Sequence, residues 1–227
     1  MMISVIIPVF NEEKTIMDII KRVQDVDIEK EIIIVDDGST DKTREILRNI
    51  KEGNIRVIYH DKNLGKGGAL KTGFSHAKGD IIIPQDADLE LDPKEYHNLI
   101  EPILEGYADV VYGSRFAGGR PRGVYRLLNK LGNDFLTSLT NIIYNTTLTD
   151  METCYKVFRK EVLRDIEIKS RDFTIEPEIT AKIFKKRCRV CEVSVAYYAR
   201  GESEGKKIKW WHAISAVWAL IKYRFMD

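Results

Sequence analysis

Four apolar runs separated by segments of helical spacing fill the stretch from Ile3 to Pro84, and they limit the fold more than any other feature of this chain. Ile3 to Val9, Glu31 to Val35, Ile55 to Tyr59 and Ile81 to Pro84 are short, rich in β-branched residues and nearly continuous in their hydrophobicity, as strands buried on both faces of a parallel sheet are. Asn11-Glu12-Glu13 opens a helix in which Ile16, Ile19, Ile20 and Val23 share one face. Ser39 or Thr40 is placed to cap a helix from Thr43 to Ile50, and a third helix is expected over Ala69 to Ala77. Such alternation predicts an α/β fold, a doubly wound and mostly parallel sheet with flanking helices. Its ligand site is then expected outside the carboxyl ends of the strands.

Three polar segments fall at that edge: Pro8 to Glu12, Asp36 to Ser39, and Asp86 to Glu90. The last places acids at every second position in Gln85-Asp86-Ala87-Asp88-Leu89-Glu90, straight after a strand. Carboxylates in this arrangement suit a hard cation, Mg²⁺ or Mn²⁺, which is commonly held by one or two of them together with substrate phosphates. A solvated acidic turn is the alternative reading of the motif alone. Gly65-Lys66-Gly67-Gly68 lacks phosphate-loop spacing and is expected to be a flexible turn at a helix start, its free amides or Lys66 within reach of a bound ligand.

Beyond residue 90 a helix starting at Asp92-Pro93 runs to about Gly106, followed by a strand over Asp109 to Tyr112 and by Gly113-Ser114-Arg115. Gly118 to Gly123 is a basic, glycine-rich loop expected to be mobile. A helix carrying Arg126, Lys130 and several leucines follows, then Thr149-Asp150-Met151-Glu152, a returning strand from Tyr155 to Arg159, an amphipathic helix from Glu176 through Phe184 and a last strand over Val190 to Tyr198. The chain divides into a body over 1–205 and a C-terminal amphipathic helix over 206–227, where tryptophans and aliphatics are flanked by lysines and arginine. That composition fits a helix lying in a membrane interface, or equally one docked on the body. Cys154, Cys188 and Cys191 form no disulfide framework, and Cys188-Arg189-Val190-Cys191 lacks the second pair of ligands a zinc site needs, so the thiols are read as structural. A net charge of +1 marks no nucleic-acid partner. Neither a signal peptide nor an apolar stretch long enough to span a bilayer is visible, so a cytoplasmic protein, peripheral at the cytoplasmic face of a membrane, is expected.

Ile6-Ile7-Pro8-Val9-Phe10-Asn11-Glu12, Val35-Asp36-Asp37-Gly38-Ser39, Asp86-Ala87-Asp88, Gly113-Ser114-Arg115 and Arg200-Gly201-Glu202-Ser203 together resemble the family 2 inverting glycosyltransferases, most closely the dolichyl-phosphate mannose synthase group. The resemblance covers essentially the whole chain. It implies a GT-A fold that binds a nucleotide-sugar donor across Pro8, Phe10, Glu12, Val35 and Asp37, with Asp86, Ala87 and Asp88 over the ribose and diphosphate. It further implies a divalent cation, Mg²⁺ or Mn²⁺, on Asp88 and Glu90, although archaeal relatives carry glutamine at the latter position. Arg115 and Arg126 are implied to bind the phosphate of a polyprenyl phosphate acceptor, and Arg200 with Lys206 to steady the donor diphosphate. Asp88, Arg115, Arg126 and Arg200 are the implied catalytic set. Relatives often continue into transmembrane helices, which this chain lacks before Asp227, so a membrane-anchoring partner protein is a further expectation.

The implied reaction moves a hexose, mannose from GDP-mannose or glucose from UDP-glucose, onto a polyprenyl (dolichyl) monophosphate with inversion. A phosphate monoester is largely anionic near neutrality and needs no strong general base. The four histidines, His60, His76, His97 and His212, fall in none of the edge motifs, in keeping with that chemistry. A transferase acting on a hydroxyl would instead need a base. A non-catalytic nucleotide-sugar or lipid-binding module would be expected to lose the acidic motif, and a nucleotidyltransferase would carry a basic glycine-rich loop after the first strand.

Overall fold

The computed structural model describes residues 1–121, 123, 127–172, 174–199 and 211–226. Seven strands form one sheet: β1 (Ile3–Val9), β2 (Lys30–Asp36), β3 (Ile55–Tyr59), β4 (Ile81–Pro84), β5 (Val110–Ser114), β6 (Lys156–Arg159) and β7 (Val190–Ser194), in the order β3-β2-β1-β4-β6-β5-β7. Adjacent strands are parallel except at β6, which runs antiparallel to both β4 and β5. The four N-terminal strands lie where the apolar runs place them. The last strand is shorter than expected: it stops at Ser194, and Tyr197 makes only an isolated bridge to Leu91.

The helices are α1 (Ile16–Gln24), α2 (Thr43–Arg48), α3 (Lys66–His76), α4 (Tyr96–Leu104), α5 (Leu127–Tyr144), α6 (Lys160–Arg164), α7 (Ile175–Lys185) and α8 (Trp211–Phe225). One face of the sheet packs on α1, α2 and α4 through Ile16, Ile19, Ile20, Leu47, Leu99 and Ile103. The other packs on α3 and α5 to α8, through residues such as Leu70, Leu136, Leu163, Ile179 and Leu220. Gly73 sets how closely α3 approaches the sheet, because a Cβ there would lie 2.1 Å from Cγ2 of Ile6 in β1.

One expectation changes here. α7 is not amphipathic: Ile175 through Ile183 are all buried, including Glu176, Glu178 and Lys182, because α8 covers the face that the sheet does not. Glu178 and Lys182 are buried as an ion pair of 2.7 Å one turn apart, which offsets their desolvation. α8 itself is docked, burying Ala216, Ala219, Leu220 and Tyr223, and Tyr144 of α5 donates its hydroxyl to the carbonyl of Leu220 at 2.7 Å. It also leaves Ile214, Trp218, Ile221 and Phe225, spaced three or four apart, facing solvent.

Candidate functional site

Because β1, β2 and β4 are parallel neighbours, the loops that follow them share one edge, as expected. They are also tied to each other. Asn11 adopts the left-handed conformation (φ 56°), donates its N–H to Ser39 Oγ at 3.0 Å and accepts from the Thr40 N–H at 2.8 Å. Glu12 donates its N–H to Thr43 Oγ1 at 2.9 Å. Ser39 and Thr40 therefore bridge two loops instead of capping α2, whose N-terminus has no side-chain cap. Pro8 pairs in register with Val35, whose side chain is fully buried, so Val35 offers only backbone to this edge. Phe10 and Glu12 are half-buried, and Glu12 Oε2 accepts from Thr15 Oγ1 at 2.8 Å.

Asp36 and Asp37 are both buried. Asp36 accepts from Arg44 Nε at 2.7 Å. Asp37 accepts the N–H groups of Leu64 and Gly65 at 2.8 Å each, and His60 Nδ1 lies 2.8 Å from Oδ1. Its carboxylate thus holds the loop leading into α3. The glycines of that loop are not a flexible, open turn: the N–H groups of Gly67 and Gly68 both donate to the carbonyl of Arg171, and a Cβ at Gly65 would lie 2.1 Å from the same oxygen. Glycine is needed for this contact, and those two amides are engaged within the fold.

Lys66 is turned inward as well. Its ammonium lies 2.9 Å from Asp86 Oδ1, 3.5 Å from Glu176 Oε1 and 3.2 Å from Cys154 Sγ. Lys156 Nζ, buried, donates to Glu176 Oε2 at 2.5 Å. Burial alone would lower the Lys66 pKa, but Asp86, Cys154 and Glu176 outweigh it and hold the value well above the ordinary one. Asp86 moves the other way: burial opposes ionisation, yet Lys66 keeps its carboxyl below the usual range. Burial pushes the Cys154 thiol well up, in keeping with a structural thiol.

Gln85 fastens the acidic loop from beneath. It accepts the hydroxyls of Tyr96 at 2.8 Å and Tyr155 at 2.6 Å, and its amide donates to the carbonyl of Asp86 at 3.0 Å. Ala87 is buried, Asp88 and Glu90 are half-buried, and Leu89 between them takes φ 62°, a conformation rare for leucine. Asp88 accepts from the Glu90 N–H at 3.1 Å, and Glu90 accepts from Tyr197 Oη at 2.5 Å. Among the described residues no three acidic, cysteine or histidine side chains converge as a complete metal site. Asp88 and Glu90, with Asp86 paired to Lys66 below them, fit a cation that takes one or two protein carboxylates and fills its other positions from phosphate and water.

Arg115 stands at the end of β5, held by Asp150. Its Nε and Nη2 donate to the two carboxylate oxygens at 2.7 and 2.8 Å, and its backbone N–H donates to Asp150 at 3.0 Å. Nη2 also reaches Asn133 Oδ1 at 3.3 Å. The guanidinium lies 5.4 Å from the centroid of Tyr197, the same tyrosine that bonds Glu90. Tyr197 also donates its N–H to the Pro121 carbonyl, and Gly123 donates to the carbonyl of Tyr197. This strip joins the acidic loop, the glycine-rich loop and Arg115 into one rim. Arg126, Arg200 and Lys206 lie outside the described residues. Asp150, Asn133, Glu152, Lys156 and Glu176 complete the surroundings; of these only Asp150 and Glu152 had a visible sign in the sequence, as acids before a strand.

The model of glycosyl transferase family 2 matches residues 4–167. An uncharacterized protein of Methanocaldococcus jannaschii is 36% identical over 85% of this chain and 80% of its own length. An undecaprenyl-phosphate 4-deoxy-4-formamido-L-arabinose transferase of Proteus mirabilis is 29% identical over 91% of this chain, and the glycosyltransferase AglJ of Haloferax volcanii 29% over 87%. The matched region is 64% and 63% of those two proteins. Glucosyl-3-phosphoglycerate synthase of Mycobacterium tuberculosis, in complex with Mn²⁺, UDP and phosphoglyceric acid, superposes with a TM-score of 0.76 at 19% identity, covering all of this chain and 79% of the other. The fold is the GT-A fold.

Proposed function

This chain belongs to glycosyl transferase family 2, and we propose that it transfers a hexosyl group from a nucleotide sugar to a polyprenyl monophosphate with inversion. The observation that carries the acceptor is the pair of apolar stripes on α5 and α8. Leu128, Leu131, Phe135 and Ile142 on α5 and Ile214, Trp218, Ile221 and Phe225 on α8 recur at helical spacing and face solvent, Leu128 at 81% exposure and Phe225 at 82%. Two packed helices that both leave such stripes uncovered are suited to an isoprenoid tail or a lipid surface. Lys222 and Arg224 accompany the stripe on α8. No helix among the described residues is long and apolar enough to cross a membrane; the two exposed stripes support a peripheral contact with a bilayer, at the cytoplasmic face.

In this reading the donor lies across Pro8, Phe10, Glu12 and the backbone of Val35, while Asp37 shapes the floor by fixing the loop into α3. Asp86, Ala87 and Asp88 line the diphosphate. Asp88 and Glu90 would hold Mg²⁺ or Mn²⁺, which when bound offsets the charge on the departing diphosphate. Arg115, oriented by Asp150, is a preorganised cation for the acceptor phosphate, which attacks without a base. Arg126, Arg200 and Lys206 are assigned to the two phosphates from the sequence. The resemblance to dolichyl-phosphate mannose synthases supports GDP-mannose as donor and a dolichyl chain as acceptor. The formamido-arabinose transferases among the relatives favour a second reading, in which the same acceptor class receives another sugar. Incubation with GDP-mannose or UDP-glucose, Mn²⁺ or Mg²⁺ and a short polyprenyl phosphate tests both. GDP-mannose is expected to give a lipid-linked mannose, chelator to abolish it, and transfer from UDP-glucose alone would replace the first reading by the second.

A further inference from the structure

Two buried side-chain atoms among the described residues have no hydrogen-bond partner: Oε1 of Glu152 and Nδ2 of Asn133. Both flank Arg115. Asn133 presents Oδ1 to the guanidinium, which turns its two amide protons away from the arginine. Glu152 is two residues beyond Asp150 in the same loop, and beyond its burial its carboxyl senses the charges of Lys156, Glu176, Arg115 and Asp150. Along the chain it falls midway between Asp150, which holds Arg115, and Cys154, whose Sγ lies 3.2 Å from the Lys66 ammonium beside Asp86.

A buried acceptor left without a donor costs about 1–3 kcal/mol, and native structures keep few of them. One unpaired acceptor and one unpaired donor beside the same arginine are what a polyhydroxyl ligand would satisfy, because every sugar hydroxyl both donates and accepts. We infer that Glu152 and Asn133 bind hydroxyls of the transferred sugar, Glu152 accepting and Asn133 donating, and so contribute to sugar selection. The inference rests on the transferase reading. If Arg115 holds the acceptor phosphate and Asp86 borders the donor diphosphate, the sugar lies between them, along the stretch of loop that runs from Asp150 to Cys154 and carries Glu152. Loop and helix then divide the work: Glu152 is carried by the connection from α5 to β6, and Asn133 by α5.

Equilibrium binding of GDP and of GDP-mannose, with UDP and UDP-glucose as the second pair and Mn²⁺ present throughout, separates sugar contact from nucleotide contact. Glu152→Ala and Asn133→Ala are expected to keep wild-type affinity for the nucleoside diphosphate within twofold, which also reports an intact fold. Each is expected to weaken the preferred nucleotide sugar by tenfold or more. Glu152→Gln, which restores an acceptor oxygen of the same size, should recover part of that loss. Equal loss for diphosphate and nucleotide sugar, or no loss for either, overturns the assignment and leaves the transferase reading standing. A wild-type chain that binds no nucleotide sugar overturns that reading, and the inference falls with it.

Discussion

Replacing Glu152 by glutamine is expected to stabilise the ligand-free protein at alkaline pH and not at acid pH. Burial pushes the Glu152 carboxyl up from 4.5 to about 7, with Lys156 pulling it down and Glu176 pushing it further up. The native state therefore holds this proton more tightly than the unfolded chain does. The stability linked to it is complete below about pH 4.5 and is lost as pH rises through about 7. Above both values an ionised Glu152 costs the native state at most about 3 kcal/mol, at about 1.4 kcal/mol per pH unit of separation. Glutamine has no proton to lose and escapes this cost. For a chain of this length 1 kcal/mol corresponds to roughly 2–4 °C in Tm, and about a quarter of the cost is already present at pH 5, so the variant's advantage over wild type should grow by about 5–10 °C between pH 5 and pH 8.5. Thermal unfolding of both proteins at the two pH values measures this double difference, in which titrating groups that do not interact with Glu152 cancel. A Tm difference that is the same at both pH values, or larger at pH 5, refutes the placement of a buried carboxyl whose desolvation outweighs its cationic neighbours there. A variant that is more stable yet binds donor sugar less well would match the usual exchange of stability for function at binding sites.

Other outcomes follow from the same geometry. Asp88→Ala should abolish transfer while leaving Tm within about 1 kcal/mol equivalent of wild type, since a half-buried rim carboxylate is not core; unchanged activity would reject its role. Trp218→Glu and Leu128→Glu, each on a solvent-facing stripe, should lower co-sedimentation with anionic liposomes without unfolding the protein, whereas removing α8 outright should destabilise it because Leu220 and Tyr223 are buried. Gly73→Ala should cost about 1–3 kcal/mol in denaturant unfolding, since a Cβ 2.1 Å from Ile6 forces α3 off the sheet. Tyr155→Phe leaves Gln85 with one hydroxyl donor fewer and should cost about 1 kcal/mol, with a loss of donor affinity if the acidic loop shifts.

The sheet was readable because it rests on period and composition. Runs such as Ile32-Ile33-Ile34-Val35 can only be buried on both faces, and they fall in β2. The shared edge followed from parallel order, and the acidic loop occupies it. What the sequence hid was pairing at a distance. Lys66 looked available in a glycine-rich turn, but Asp86, 20 positions away, and Glu176, more than 100 away, draw it inward. Asp37 looked like a ligand group and holds Leu64 and Gly65. The breadth of burial on α7 depended on α8, which local spacing could not reveal. Glu152 and Asn133 became visible only once every neighbouring donor and acceptor had been matched.

The most direct test of the proposed function is acceptor discrimination. With GDP-mannose and Mn²⁺ held constant, a short polyprenyl monophosphate is compared with the free polyprenol of the same chain length. An enzyme that steadies an anionic nucleophile with Arg115 and has no positioned base should glycosylate the phosphate and leave the alcohol untouched. Transfer to the alcohol at a comparable rate would contradict that chemistry and require a base among the buried acids of the rim.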